Sequence, residues 1–265
     1  FFAMTAAASV YTNLDVVMLK FMKGDVEVGY YNAAIKVKTI LVSLITSLGT
    51  VLLPRLSYYV KKNEKELFYQ MIGKAVNFVV IVGLPLSVYF MIFAEESILF
   101  LAGEGYHGSV LPMILLMPTV LLIGLSNITG IQVLTPQNME QKVLNSILWG
   151  AVIDFALNLV LIPKFASSGA AFATLMAELA VLIVQCVYLK ESVRGMVRAV
   201  SWWKVIAASV AATIGGLAIR NLIYFSPFLI LFVTAIAFFG VYGIMLLSLK
   251  EKFVLEILNS RIKRG

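Results

Sequence analysis

The chain has 265 residues, of which 61% are apolar and 13% are charged, with a mean hydropathy of +0.95. A soluble domain is about 45 to 50% apolar and about 25% charged, so this composition excludes an ordinary soluble enzyme. We interpret the net charge of +7 as the basic cytoplasmic rim of a membrane protein, and we predict no nucleic-acid partner. The single cysteine, Cys186, excludes an internal disulfide and a cysteine metal cluster, and we predict neither a metal site nor a cofactor.

Eight long apolar runs, separated by short polar or Pro/Gly-containing breaks, predict eight transmembrane helices, because one span needs roughly 20 residues. In chain order they cover residues 1–22, 29–56, 72–93, 109–134, 143–162, 169–189, 203–222 and 227–249. The stretch 94–108 is too short to span a membrane and is predicted to lie along the outer interface. The predicted fold class is therefore an all-α, polytopic membrane protein without a soluble domain.

The positions of the basic residues predict the orientation of the chain, since Lys and Arg near helix ends are retained on the cytoplasmic side. If the first helix starts in the cytoplasm, fifteen of the 21 basic residues fall on the inner face. The outer face then keeps only Lys20, Lys23, Lys164 and Arg220. This distribution predicts a multi-pass protein of the cytoplasmic membrane with both ends of the segment inside.

Ionisable side chains at membrane depth are costly, so they are functional candidates. Five such residues occur within the apolar runs: Asp15, Lys36, Lys38, Asp154 and Glu178. Asp15 lies 10.5 positions before the centre of the turn at residues 25–26, and Lys36 lies 10.5 positions after it. The matched depth predicts an ion pair between Asp15 and Lys36 across this hairpin. Lys38 points away from Lys36 and could line a cavity or extend to the interface.

The same count around residues 165–166 places two carboxylates, Asp154 and Glu178, near one level on adjacent helices. Asn158 shares a face with Asp154, and Thr174 shares one with Glu178, because each pair is four residues apart. Two like charges this close disfavour joint ionisation, so the group could exchange a proton or hold Na⁺. The alternative is that each acid is a structural hydrogen-bond partner for a different neighbouring helix.

Two stretches resemble a known family. The run GYYNAAIKVKTILVSLITSLGTVLLPRLSYY (29–59) and the run NLVLIPKFASSGAAFATLMAE (158–178) look like the polysaccharide flippases of the multidrug/oligosaccharidyl-lipid/polysaccharide exporter superfamily. Because the family protein is roughly twice as long, the resemblance implies that residues 1–189 are its second six-helix lobe. Residues 190–265 would then be an additional helix pair with a basic cytoplasmic tail, and the missing N-terminal lobe would be a partner from the same parent chain.

The resemblance implies a transporter, not an enzyme, that flips undecaprenyl-diphosphate-linked oligosaccharide across the cytoplasmic membrane by alternating access. It also implies a cationic central cavity that holds the diphosphate. The candidate substrate-binding residues are Lys36, Lys38, Asp15 and Asn32. The candidate ion-coupling residues are Asp154, Glu178, Asn158 and Thr174, with H⁺ or Na⁺ as the coupling ion. The remaining expected partner is membrane lipid.

Three alternatives stay open. The lipid II flippases are similar around TVLLPRLS, but they carry an Asp-Arg pair where this chain reads Ala33-Ala34-Ile35. A drug/cation antiporter of the same superfamily would use an anionic cavity, which Asp154 and Glu178 permit and the two lysines oppose. A membrane-embedded transferase would need polar catalytic loops, whereas the outer loops here are short and contain one histidine, His107.

Overall fold

The structure is a computed structural model that describes residues 2–222 and 226–262. All regular secondary structure in these two ranges is helical, which confirms the predicted all-α class. The α-helices are α1 (Phe2–Lys23), α2 (Asp25–Lys61), α3 (Lys65–Ile92), α4 (Ala94–Ala102), α5 (Val110–Asn127), α6 (Glu140–Leu189), α7 (Glu191–Ala199), α8 (Trp202–Arg220), α9 (Pro227–Ser248) and α10 (Lys252–Ile262). Short 3₁₀ turns at Glu104–Ser109 and Thr135–Gln137 and a π-helical segment at Ile128–Leu134 flank α5.

Six helical segments within the described ranges are long and apolar enough to cross a membrane. They are α2, α3, the continuous segment Glu104–Gln137 around α5, α6, α8 and α9. Helix α6 has 50 residues and bends sharply at Ala166, so it contains two of the predicted runs. Helix α1 covers the first predicted run but is not among these six, and the total of eight spans stays a prediction. The predicted interfacial stretch forms the short α4 and a 3₁₀ turn.

The first hairpin turns at a single residue. Helices α1 and α2 meet at Gly24, whose φ of 88° lies in a region that side chains rarely adopt. On α2, the buried positions recur every three or four residues, at Ala34, Val37 and Leu41 among others. This spacing is that of one helix face. It packs α2 against α3 and α5 and leaves the opposite face exposed.

Helix α6 folds back on itself at Ala166, where φ is 48° and ψ is −128°. Residues 140–165 form its first arm and residues 167–189 its second. The arms approach closely because small residues line their contact: a Cβ on Gly169 would lie 2.5 Å from the carbonyl oxygen of Leu161. The side chain of Glu27 fixes the turn from outside, accepting hydrogen bonds from the Ser167 backbone N–H at 3.1 Å and hydroxyl at 2.6 Å.

Helices α8 and α9 pack against each other and against α3 and α4. A stripe of small residues on α8 is at this contact, with Ala208 and Ala212 fully buried and Gly216 beside the Phe238 ring. Phe238 in turn packs edge-on against Tyr89 of α3, with ring centroids 5.3 Å apart. The described C-terminal helices therefore pack on the side of the molecule formed by α3 and α4.

Candidate functional site

A cluster of polar side chains lies inside the bundle, where α1 meets both arms of α6. Asp154 and Asn158 are fully buried, and Asp15 is 4% exposed. Each comes from a helix whose other described buried residues are mainly apolar. Buried polar groups at this depth are stable only when they find hydrogen-bond partners or a bound ion.

Asp15 accepts hydrogen bonds from three side chains. The Tyr31 hydroxyl donates to Oδ2 at 2.5 Å, and the Thr174 hydroxyl donates to the same oxygen at 2.9 Å. The Asn158 amide nitrogen donates to Oδ1 at 2.6 Å. The hydroxyl oxygens of Tyr31 and Thr174 lie 2.7 Å apart, close enough for one to donate to the other instead. Asp15 thus connects α1, α2 and the two arms of α6.

Asp154 is less completely bonded than Asp15. Its Oδ2 accepts a hydrogen bond of 3.1 Å from the Asn158 amide, which therefore bridges the two carboxylates. Asp154 Oδ1 and Asn158 Oδ1 are both buried and have no hydrogen-bond partner among the described residues. The charges of Asp15, Glu178 and Lys38 all act on Asp154. The cluster therefore offers two oxygens to a cation or, at the carboxylate, to a proton.

The turn at Ala166 explains how α6 assembles its part of the cluster. Asn158 lies eight positions before Ala166 and Thr174 eight positions after it, so the two side chains lie at one depth, roughly 12 Å from the turn. Asp154 and Glu178 are each twelve positions away and lie roughly 18 Å from it. The matched depths that were predicted for these residues follow from this hairpin.

The predicted ion pair between Asp15 and Lys36 is wrong for this conformation. Among the described residues, Asp15 receives its hydrogen bonds from Tyr31, Thr174 and Asn158, and Lys36 is exposed. The reason is rotational. Five residues separate Tyr31 from Lys36, which places Lys36 about 140° further around the helix.

A cavity of about 290 Å³ opens beside the cluster. Its lining residues include Asp15, Tyr31, Lys38, Thr174 and Glu178. Lys38 thus lines a cavity, one of the two alternatives stated for it. Neither Lys36 nor Asn32 is part of this lining, although Asn32 is half-buried on the same helix.

Sequence reasoning missed two parts of this polar interior. Tyr31 lies near a helix end in the sequence, where tyrosine is typical of the membrane interface, yet it is fully buried and bonded to Asp15. Its position seven residues after Gly24 was the available signal, since it falls near the depth of Asp15. A second network joins Thr129, Gln185 and Ser146, with Gln185 accepting from Thr129 at 2.5 Å and donating to Ser146 at 3.0 Å. These side chains are uncharged, so a search for ionisable residues passes over them.

The atoms of the cluster that could bind a cation are all oxygens. It contains two carboxylates, an amide and hydroxyl groups, which suit a proton or a hard cation. Within the described ranges, no group of three His, Cys, Asp or Glu side chains is placed to hold a metal ion. The donor set therefore fits a monovalent cation better than a transition metal.

Sequence comparison identifies related membrane proteins. A family model described as "polysaccharide biosynthesis protein" matches residues 1–60. A putative O-antigen transporter of Escherichia coli K12 is 26% identical over 191 residues, covering 72% of this chain and 46% of the relative. A probable low-salt glycan biosynthesis flippase of Haloferax volcanii is 22% identical over 208 residues, covering 78% of this chain and 44% of the relative.

Structural comparison identifies the fold. The lipid II flippase MurJ, in an inward closed conformation, superposes with a TM-score of 0.76 at 15% identity, covering 91% of this chain and 51% of the flippase. The chain spans about half the length of the curated relatives it matches. It is a multi-pass membrane protein with the fold of about half of that flippase, and its predicted resemblance to the polysaccharide flippases is confirmed.

Proposed function

We propose that the parent chain flips undecaprenyl-diphosphate-linked oligosaccharide across the cytoplasmic membrane for the synthesis of capsule, O-antigen or exopolysaccharide. Residues 1–189 would act as one six-helix lobe, and an opposing lobe would complete an alternating-access transporter. The observation that carries this proposal is the cavity that contains Lys38 beside a buried cluster of oxygen ligands. The Lys38 ammonium group suits a phosphate, and the oxygen ligands of the cluster suit a coupling cation.

The relatives support a carrier rather than an enzyme. The relatives named above are a transporter and flippases, and two of their names refer to O-antigen or to glycan biosynthesis. A transferase would need catalytic groups in polar loops, whereas the polar groups described here lie inside the bundle. The fifteen-to-four distribution of basic residues supports cytoplasmic positions for both ends of residues 1–265.

Lys38 is the proposed contact for the diphosphate. An ammonium group binds phosphate as a point charge with three donors, and its attraction is strong where water is scarce. Lys36 and Asn32 are proposed to act where the opposing lobe meets this one, because both lie outside the cavity lining and Lys36 is exposed.

The cluster of Asp15, Asp154, Asn158 and Thr174 is the proposed site of the coupling ion. Two ionised carboxylates buried together repel each other, so a proton or Na⁺ between them stabilises the site. The unbonded oxygens of Asp154 and Asn158 are the positions left for that ion. Glu178, on the cavity side, adds to the negative potential that attracts it.

A flipping assay with the full-length parent protein tests the function. The protein is reconstituted in proteoliposomes with a fluorescent undecaprenyl-diphosphate oligosaccharide, and the fraction accessible to an external quencher is followed with time. Lys38→Gln is expected to abolish flipping. Lys61→Gln, which removes the same charge from the same helix roughly 35 Å away, should retain it.

The same preparation distinguishes the alternatives. A drug/cation antiporter is favoured by the acidic side chains of the cavity, and it would exchange an organic cation for H⁺ or Na⁺ while leaving the lipid in place. A lipid II flippase would move lipid II and reject the oligosaccharide carrier. Absence of lipid movement by the wild-type protein, together with cation exchange, would replace the present proposal with the antiporter.

A further inference from the structure

The polar cluster proposed to bind the cation and the side chain of Lys38 adjoin the same cavity. Asp15, Tyr31 and Thr174 all line the cavity, and both hydroxyl groups hydrogen-bond to Asp15, so the cavity reaches the cluster at this carboxylate. Lys38 is the one basic side chain among the described residues of the lining. Lys38 is also near enough to the cluster for its charge to act on Asp154.

The formal charges of this space do not favour an anionic ligand by themselves. Three acidic side chains, Asp15, Asp154 and Glu178, face one ammonium group, so full ionisation leaves a formal charge of −2. A diphosphate would be repelled by this field, and Lys38 would be attracted towards the acids. One cation in the cluster reduces the formal charge to −1 and weakens the hold of the acids on Lys38.

We propose that the coupling cation and the lipid diphosphate bind cooperatively, with Lys38 as the residue that transmits the effect between the two sites. This inference rests on the proposed function and adds the order of events. The cation first neutralises part of the acidic cluster, and Lys38 then becomes available to the diphosphate. Because binding free energies are linked, each ligand must raise the affinity for the other by the same factor.

The size of the effect follows from the separation of the charges. Two unit charges several ångströms apart in a partly buried site interact strongly enough to change an affinity by about tenfold, within the range usual for coupled sites. Removal of the Lys38 charge should therefore strengthen cation binding by about tenfold, because a positive neighbour is lost. The same change should weaken binding of the diphosphate.

The first measurement needs no lipid substrate. The full-length parent protein in nanodiscs is titrated with Na⁺ at fixed pH, and with H⁺ in sodium-free buffer, while its thermal stability is recorded. Lys38→Gln should lower the Na⁺ midpoint about tenfold or raise the pH midpoint by about one unit, depending on which ion binds. Lys61→Gln is the matched control and should leave both midpoints unchanged. Equal midpoints in the two variants would overturn the proposal.

The second measurement uses undecaprenyl diphosphate as the probe. The wild-type protein should bind it about tenfold more tightly with the cation than without it. Asp154→Asn keeps the shape and one acceptor of the carboxylate, so it should bind the lipid tightly and without cation dependence. Weaker lipid binding in the presence of the cation would also overturn the proposal. If the wild-type protein binds no lipid diphosphate but Lys38→Gln still moves the cation midpoint, the proposed substrate is wrong while the linkage of Lys38 to the cation site stands.

Discussion

Two regions of the molecule use buried polar groups differently. Between α3 and α9, the Tyr89 hydroxyl donates to the Leu231 carbonyl at 2.7 Å and the Tyr242 hydroxyl donates to the Ile81 carbonyl at 2.8 Å. Inside the α1–α6 bundle, two carboxylates lie together and oxygens of Asp154 and Asn158 have no partner among the described residues. The two tyrosine hydroxyls of the first region are bonded as in a structural contact, whereas the second region combines unbonded oxygens with two carboxylates, an arrangement that a cation can use.

Charged groups show the same contrast. The pairs Arg220–Glu96 and Lys74–Glu256 connect the C-terminal helices to the bundle near the ends of the spans. Each pair combines opposite charges, as expected for a contact that holds a C-terminal helix against the bundle. The acids of the cluster instead lie far from any helix end. Substitution of a residue in these ion pairs should therefore impair folding alone. Substitution of an acid in the cluster should also change the response to a cation.

The largest expected effect is that of Asp15→Ala. The substitution leaves the hydroxyls of Tyr31 and Thr174 and the Asn158 amide without their common acceptor, so the free energy of unfolding should fall by about 3 kcal/mol or more. Reversible unfolding of the full-length parent protein in detergent measures this loss. Asp25→Ala is the control, because Asp25 pairs with Lys20 at an exposed position. A loss below about 1 kcal/mol for Asp15→Ala would show that the cluster reorganises freely.

A comparison of two identical substitutions tests the contrast directly. Asn158→Leu and Asn77→Leu each remove a buried amide, but Asn77 donates only to the carbonyls of Gly73 and Ala199. Both should lower the free energy of unfolding by about 1 to 3 kcal/mol. Only Asn158→Leu should also abolish stabilisation by Na⁺, because it removes a proposed ligand, or shift the pH dependence of stability if the ion is H⁺, because it removes the amide that bridges the two carboxylates. Loss of the cation response in both variants would contradict the assignment of the site.

The pair between Arg220 and Glu96 should have an intermediate effect. Arg220→Ala leaves the Glu96 side chain, 6% exposed, without its cation at 2.5 Å. Since Arg220 itself is 38% exposed, solvent screens part of the interaction, and we expect a loss of about 1 to 2 kcal/mol. The double variant Arg220→Ala/Glu96→Gln should recover most of it in the same unfolding assay. A double variant as unstable as the single one would point to lost packing instead.

The smallest effect on the free energy of unfolding is expected for the ion pair at the end of the spans opposite to Arg220. Lys74 and Glu256 form an ion pair in which both side chains are more than half exposed. Exposed pairs contribute little, so Lys74→Ala should change the free energy of unfolding by less than about 0.5 kcal/mol. A larger loss would indicate that the attachment of α10 depends on this one contact.

The depth of a residue along its helix was predictable from the sequence, whereas the direction in which its side chain points around the helix was not. Hydropathy marked the apolar runs, and counting from the turns placed Asp154 and Glu178 at one level. The same counting paired Asp15 with Lys36, because it measures position along a helix and ignores the 100° turn between successive residues. Tyr31 shows a further limit. A tyrosine near a helix end suits either the membrane interface or a buried carboxylate, and only its neighbours on other helices decide between the two.

The turn at Ala166 also restricts how this chain can change in evolution. Within α6, Ala166 alone departs from helical backbone angles, so it is the single residue between the two arms. One residue inserted there would rotate Thr174 by about 100° and move it about 1.5 Å along the second arm, taking its hydroxyl away from Asp15. A deletion would do the same in the opposite direction. Insertions and deletions should therefore accumulate at connections such as residues 62–64, while the segment around Ala166 keeps its length even where its residue types change.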